Sequence, residues 1–240
     1  MFSLKFQEKI RAPVTLFARL MHRTGLARIW WALANFHRFL LWTSPSFKKL
    51  NPKLVLDVGA NTGEFLEVML KVFPETKVIA FEPQKACLGA LNSRYAANPR
   101  VRIFPVGLGD ARSESDLHIA PFNPSSSFYP IEGSLATEQV TIKRLDDFES
   151  EIQWEKPALL KIDVEGYELA VLRGAEKCLH RLDTIYVEAR ASRPIGCRFD
   201  EIYRFLTDRG WIYRGAYDSV FTGEGELQHF DCLFVKAPGA

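Results

Sequence analysis

Cysteine is scarce in this chain: Cys87, Cys178, Cys197 and Cys232 are the four in 240 residues, far apart and without a Cys-x-x-Cys pair. That suits buried thiols in a reducing compartment better than a disulfide scaffold or a zinc-thiolate framework. No unbroken apolar run approaches the ~20 residues that cross a bilayer. Nor does the start show a charged stretch, an apolar stretch and a small-residue cleavage site in order, so a cytoplasmic location is expected. The histidines form no cluster: His118, His180 and His229 stand apart, as packing or surface residues do rather than ligands. A Gly-x-Gly-x-x-Gly turn is also missing, which argues against a pyrophosphate ligand such as NAD. There is no internal repeat or low-complexity tract. The remainder is ordinary for a globular protein, 47% hydrophobic and 25% charged, and long enough for one large α/β domain with an appendage.

What is present centres on Val55 to Phe65. An apolar run, Leu54 to Leu56, leads to Asp57, then to Gly59 and Gly63, and then into an amphipathic segment. A buried parallel strand, a tight turn and a helix N-terminus produce that order. Glycine is needed in the turn either for close backbone approach to a ligand or for a positive φ. An acidic strand end suits a ligand with an amino group and a ribose, which points to a nucleoside cofactor, S-adenosylmethionine.

From Lys53 the chain alternates strand and helix, as a layered α/β domain requires. Strands are predicted at Leu54–Val58, Lys77–Phe81, Val101–Val106, Ala158–Val164 and Thr184–Glu188. Helices follow the first two strands and the fourth, and another spans Phe199–Asp208. Leu117–Ala120 and Gln139–Ile142 read as short strands around a long loop, Pro121 to Gly133, and Arg144 to Trp154 as a short helix. Trp211–Tyr213 and Cys232–Val235, with no helical pattern between them, imply an antiparallel pair around a glycine-rich connection. The expected fold is a Rossmann-like, mostly parallel sheet ending in an antiparallel C-terminal pair, spanning 51–240, with ligands beyond the carboxyl ends of its strands.

Residues 1–50 read as a separate helical appendage. Nine basic residues stand against Glu8 there, giving +8 and leaving −6 for the rest of the chain. Trp30, Trp31 and Trp42 lie among apolar and basic residues, a pattern shared by interfacial membrane helices, by caps packed on their own domain and by dimer contacts. Thr43-Ser44-Pro45-Ser46 reads as a linker.

The blocks Leu56-Asp57-Val58-Gly59-Ala60-Asn61-Thr62-Gly63, Phe81-Glu82-Pro83 and Leu160-Lys161-Ile162-Asp163-Val164-Glu165-Gly166-Tyr167-Glu168 resemble the FkbM-type methyltransferases, a branch of the class I S-adenosylmethionine-dependent enzymes. The resemblance continues through Val171 to Ala175 and Val187-Glu188, and covers roughly residues 53–236. It implies O-methylation of a hydroxyl on a sugar, glycan or polyketide. Asp57 and the turn bearing Gly59 and Gly63 would hold the methionine part of the cofactor, and Asn61 would either touch the cofactor or cap the first helix. Glu82, at the next strand end, is placed to accept the ribose hydroxyls, as an acid does in dinucleotide sites; Asp110 is an adenine-contact candidate or a plain turn residue. Period-two alternation puts Lys161, Asp163 and, if the strand persists, Glu165 on one side. Charges grouped there form either a structural brace or a catalytic group. Asp163 is the favoured general base, Glu188 the second choice, and Lys161 its buried partner. Glu165 and Glu168 suit a helix start, with a cleft-facing Glu165 as the alternative. Asp163, Glu165 and Glu188 also offer hard oxygen ligands, so magnesium is an alternative, though not the favoured one. Phe128, Tyr129 and Trp30 or Trp31 are candidate sugar-stacking faces. The rival readings are an RNA methyltransferase and a non-catalytic nucleoside-binding protein; nucleic acid is not the expected partner, because the basic residues of 1–50 are mixed with many apolar ones.

Overall fold

In the first strand Leu54, Leu56 and Val58 enter one apolar layer and Val55 the other, and all five residues are buried. A strand apolar on both sides belongs inside a sheet that is covered on both faces. The computed structural model, which describes residues 36, 38–120, 126–130, 133–191 and 196–237, has ten strands. These are β1 (Leu54–Val58), β2 (Lys77–Phe81), β3 (Val101–Phe104), β4 (Gly107–Leu108), β5 (Ser113–Ile119), β6 (Ala136–Lys143), β7 (Ala158–Ile162), β8 (Thr184–Arg190), β9 (Trp211–Phe221) and β10 (Leu227–Lys236). The α-helices used below are α1 (Pro45–Lys48), α2 (Glu64–Val72), α3 (Lys85–Tyr95), α4 (Glu168–Gly174) and α5 (Phe199–Thr207).

Seven strands form the main sheet in the order β3-β2-β1-β7-β8-β10-β9. All of its pairings are parallel except those of β10, which runs against both β8 and β9. The mostly parallel sheet with an antiparallel C-terminal pair is therefore as expected. The chain goes outward from β1 to β3, then returns to lay β7 along the free side of β1. The order reverses between β1 and β7, and a cleft opens beyond the carboxyl ends of strands at such a point.

Several elements differ from the sequence reading. The third strand stops at Phe104, and the next two paired residues, Gly107–Leu108, leave the main sheet to pair with β6. The short strands are longer than expected and join β4 in a separate three-stranded sheet. Arg144 to Trp154 is not an α-helix; only Leu145–Phe148 is helical, as one 3₁₀ turn, with Leu145 and Phe148 buried against the main sheet. The strand of the Lys161 block ends at Ile162 because Glu165 (φ 52°) and Gly166 (φ 105°) turn the chain back into α4. The final strands run 11 and 10 residues rather than three and four, with register shifts that absorb Gly215 and its neighbours.

Most of the N-terminal appendage, with Trp30 and Trp31, lies outside the described residues. Its last part does not read as an appendage followed by a linker. Residues 38–43 are helical and α1 begins two residues later. Trp42 is 1% exposed, with ring centroids 4.7 Å from Phe47, 5.3 Å from Phe65 and 5.3 Å from Tyr186, all edge-on. This segment fills the layer that also contains Val55, Leu66, Met69 and Leu91. All four cysteines are buried and none is in a disulfide. No helix among the described residues is long and apolar enough to cross a membrane.

Candidate active site

The cleft at the reversal point encloses about 680 Å³ and has two chemically different halves. On the β3-β2-β1 side the wall is the glycine turn, Glu82, Pro83, Leu108, Leu117 and Phe128. On the other side it is lined by Asp163, Glu165, Glu188, Asp218, His229 and Asp231, with Arg38 reaching in from the N-terminal helix.

The turn after β1 has Gly59 at φ 75°, Asn61 at φ 50° and Gly63 at φ 92°. A Cβ on Gly59 would stand 1.9 Å from the Asp163 carbonyl oxygen. Glycine is thus required by positive φ and by the close approach of the β7 end. Gly63 begins α2 and lies beneath Leu91 and Tyr95 instead of facing the cleft. The turn braces Glu82: the Asn61 N–H donates to Oε2 at 2.8 Å and the Gln84 N–H to Oε1 at 2.8 Å. Burial pushes the Glu82 carboxyl up to about 7, against the lowering effect of those two donors. Each oxygen keeps acceptor capacity on a side chain that lines the cleft, which is what a vicinal diol needs.

Asp57 is not where it was expected. It is fully buried, absent from the cleft wall, and paired with Lys161 at 3.2 Å. Lys161 Nζ also donates to the Gly59 carbonyl at 3.0 Å and stands 3.5 Å from Asp163. Burial alone would lower Lys161, but Asp57 and Asp163 together raise it above an ordinary lysine, so it stays a cation. Lys161 therefore ties the glycine turn to the neighbouring strand end. Asp110 lies apart, in a second hollow with Tyr129, Tyr167 and Arg173; Gly107–Leu108, and not Asp110, reach the cleft. Of the stacking candidates, Phe128 lines the cleft while Tyr129 faces that hollow.

Oxygens of Asp163, Glu165 and Glu188 all lie within 4.8 Å of one another. Glu165 pairs with Arg190, which is also 3.8 Å from Glu188. Burial, then the Asp163 charge, pushes Glu165 up to about 7 and Glu188 well above the carboxylate range. Glu165 thus belongs to the cleft and not simply to a helix start. Glu168 is 1% exposed and holds the turn together: its Oε1 accepts the Val164 and Gly166 N–H groups at 3.2 and 2.9 Å. His229 is not a bystander either, standing 3.7 Å from Glu188.

The sequence reading missed Arg38, Asp218 and Asp231. Arg38 is one helical turn before Trp42, so the buried tryptophan marked the face on which it would point inward. Asp218 and Asp231 lie in what was read as a glycine-rich connection; the β-branched and aromatic content of Trp211–Phe221 was the available signal. Burial, followed by the Asp163 charge, pushes Asp231 up to about 7.

This sheet order and this cleft define a Rossmann-like class I methyltransferase fold. The chain belongs to the family described as the methyltransferase FkbM domain, which residues 57–213 match. It is 25% identical over 151 residues to the 2-O-methyltransferase NoeI of Sinorhizobium fredii, covering 56% of this chain and 62% of that protein. It is 30% identical over 138 residues to the hexuronic acid methyltransferase AglP of Haloferax volcanii, covering 56% of this chain and 55% of that one. The match therefore spans under two-thirds of either relative's length. The crystal structure of methyltransferase FkbM from Methylobacillus flagellatus KT superposes with a TM-score of 0.50 at 19% identity, over 77% of this chain and 44% of that one.

Proposed function

We propose that this protein is an S-adenosylmethionine-dependent O-methyltransferase acting on a hydroxyl of a sugar, glycan or polyketide-type molecule. The observation that carries the reading is Glu82, whose two oxygens are each fixed by one backbone N–H and still face the cleft beside the glycine turn. That geometry fits a ribose diol. Pro83, Leu108, Leu117 and Phe128 supply an apolar wall for a purine, and Gly59 to Asn61 border the space left for the amino-acid end. The names of the two relatives, one a 2-O-methyltransferase and one a methyltransferase of a sugar acid, support hydroxyl chemistry on carbohydrate.

When bound, S-adenosylmethionine supplies an electrophilic methyl group already activated by its sulfonium. The protein has two tasks, to align an acceptor oxygen and to remove its proton. Asp163 is the favoured base: it follows β7 directly, its side chain is 30% exposed to the cleft, and Lys161 orients it from 3.5 Å away. Glu188 is the second choice, since burial and the Asp163 charge raise its hold on a proton above that of an ordinary carboxylate.

The test is Asp163→Asn, assayed both for methyl transfer to a panel of sugar and polyketide hydroxyls and for S-adenosylhomocysteine binding by calorimetry. Transfer should fall at least ~100-fold, the usual contribution of a general base, with binding nearly intact. Unchanged turnover would remove Asp163 from the mechanism, and failure to bind S-adenosylhomocysteine in the parent protein would remove the cofactor.

A further inference from the structure

The chemical class of the acceptor can be narrowed from the charge of the cleft. Asp163 follows β7, Glu188 lies on β8, Asp231 on β10 and Asp218 on β9, so four adjacent strands each contribute a carboxylate to one wall. Glu188 and Asp231 are register partners on antiparallel strands. The Asp163 charge bears on both, so this wall cannot hold all its carboxyl groups ionised without cost. Glu188 is only 8% exposed, and its Oε2 accepts no hydrogen bond among the described residues, Arg190 standing 3.8 Å away. Burying an acceptor without a donor also costs stability. Among the described residues the cations lining this wall are Lys161 and Arg38; Lys161 is already engaged by Asp57, Asp163 and the Gly59 carbonyl, and Arg190 behind it is engaged by Glu165 and Glu188.

An array of acceptors and negative charge, costly to the empty fold, is relieved by a ligand that brings hydroxyl donors or positive charge. A ligand bearing a carboxylate or phosphate would meet a field of its own sign in a recess where water screens poorly. We propose that the acceptor is a polyol without anionic groups, an amino sugar being bound more tightly than a neutral sugar and a uronic acid being rejected. Asp218 and Asp231 on the C-terminal hairpin, opposed by Arg38 on the N-terminal helix, set this order. The proposal rests on assigning the opposite half of the cleft to S-adenosylmethionine.

The experiment needs no turnover. Binding of methyl glucosaminide, methyl glucoside and methyl glucuronide is measured on the full chain by ligand-observed NMR, with S-adenosylhomocysteine present. The pH is 8, above the raised values of about 7 for Glu165 and Asp231. The expected order is amine, then neutral, then carboxylate, with at least ~10-fold between the extremes, and raising the salt concentration should compress it. Asp218→Asn and Asp231→Asn should each shrink the amine-to-carboxylate ratio, while Arg38→Gln should enlarge it. Opposite shifts from charge changes on the same wall cannot come from a general loss of folding. Glucuronide binding as well as glucosaminide, the same direction of shift in all three variants, or no binding by any of the sugars would overturn the proposal. Loss of S-adenosylhomocysteine binding in the parent protein would instead overturn the cofactor reading, and is measured separately.

Discussion

Glu82 serves both the turn and the proposed ligand with one carboxylate. Its oxygens hold the Asn61 and Gln84 amides in place and face the cleft at the same time. Its proton is retained up to about pH 7 because it is buried. A ribose diol donates to the ionised form, so binding should draw the proton off. Affinity for S-adenosylhomocysteine should therefore rise between pH 6 and pH 8, readable by calorimetry as proton release that varies with buffer. In Glu82→Gln the amide NH₂ must confront one of the two backbone N–H groups, and no proton remains to be released. Binding should weaken about tenfold or more, by the worth of one hydrogen bond to a charged group, and this pH dependence should disappear. A flat profile in the parent protein would mean that Glu82 does not meet the ligand.

Among the elements, the segment around Trp42 links stability and site. Four aromatic rings pack edge-on around that indole, and Arg38 enters the acidic side of the cleft one turn earlier. Trp42→Ala should cost about 3–5 kcal/mol, the range for deleting a buried aromatic, measured by denaturant unfolding. In whatever fraction remains folded, acceptor affinity should suffer while S-adenosylhomocysteine affinity does not. An equal loss of both would mean that the helix supports the whole cleft. The parallel strands were legible in the sequence because each is a short, nearly continuous apolar run such as Val-Leu-Asp-Val or Leu-Leu-Lys-Ile, bounded by turn residues. Glu82, Lys161, Asp163 and Glu188 were legible because they stand at or beside the ends of those runs. The misplacements share a cause: contacts between segments distant in the chain. Asp57 turned inward because Lys161, a strand away, pairs with it. Asp110 was displaced because β4 leaves the main sheet for β6. Asp218 and Asp231 were hidden because Gly215 and the bulges of β9 and β10 break the alternation by which a strand is read.

For the molecule as a whole, the buried acids set the direction in which stability responds to pH. Glu82, Glu165 and Asp231 are each raised to about 7 from ordinary values near 4. Between those limits the folded protein holds protons that the unfolded chain has released, so stability should fall as pH climbs from about 4.5 to 7. The melting temperature without ligand should be higher at pH 6 than at pH 8, and Asp231→Asn should reduce the difference; a melting temperature that rises across this interval would refute the assignment. The seam between β1 and β7 has a further bearing on ancestry. The donor turn and the strand ends with Asp163 and Glu188 fall inside the stretch shared with the family, residues 57–213, whereas Arg38, Asp218, His229 and Asp231 fall outside it. The acidic wall is thus carried partly by the shared stretch and partly by the chain on either side of it, whereas the glycine turn and Glu82 lie wholly within that stretch. A graft of the C-terminal hairpin and the Arg38 helix from a relative, leaving the shared stretch untouched, is the exchange by which such a lineage would acquire a new substrate.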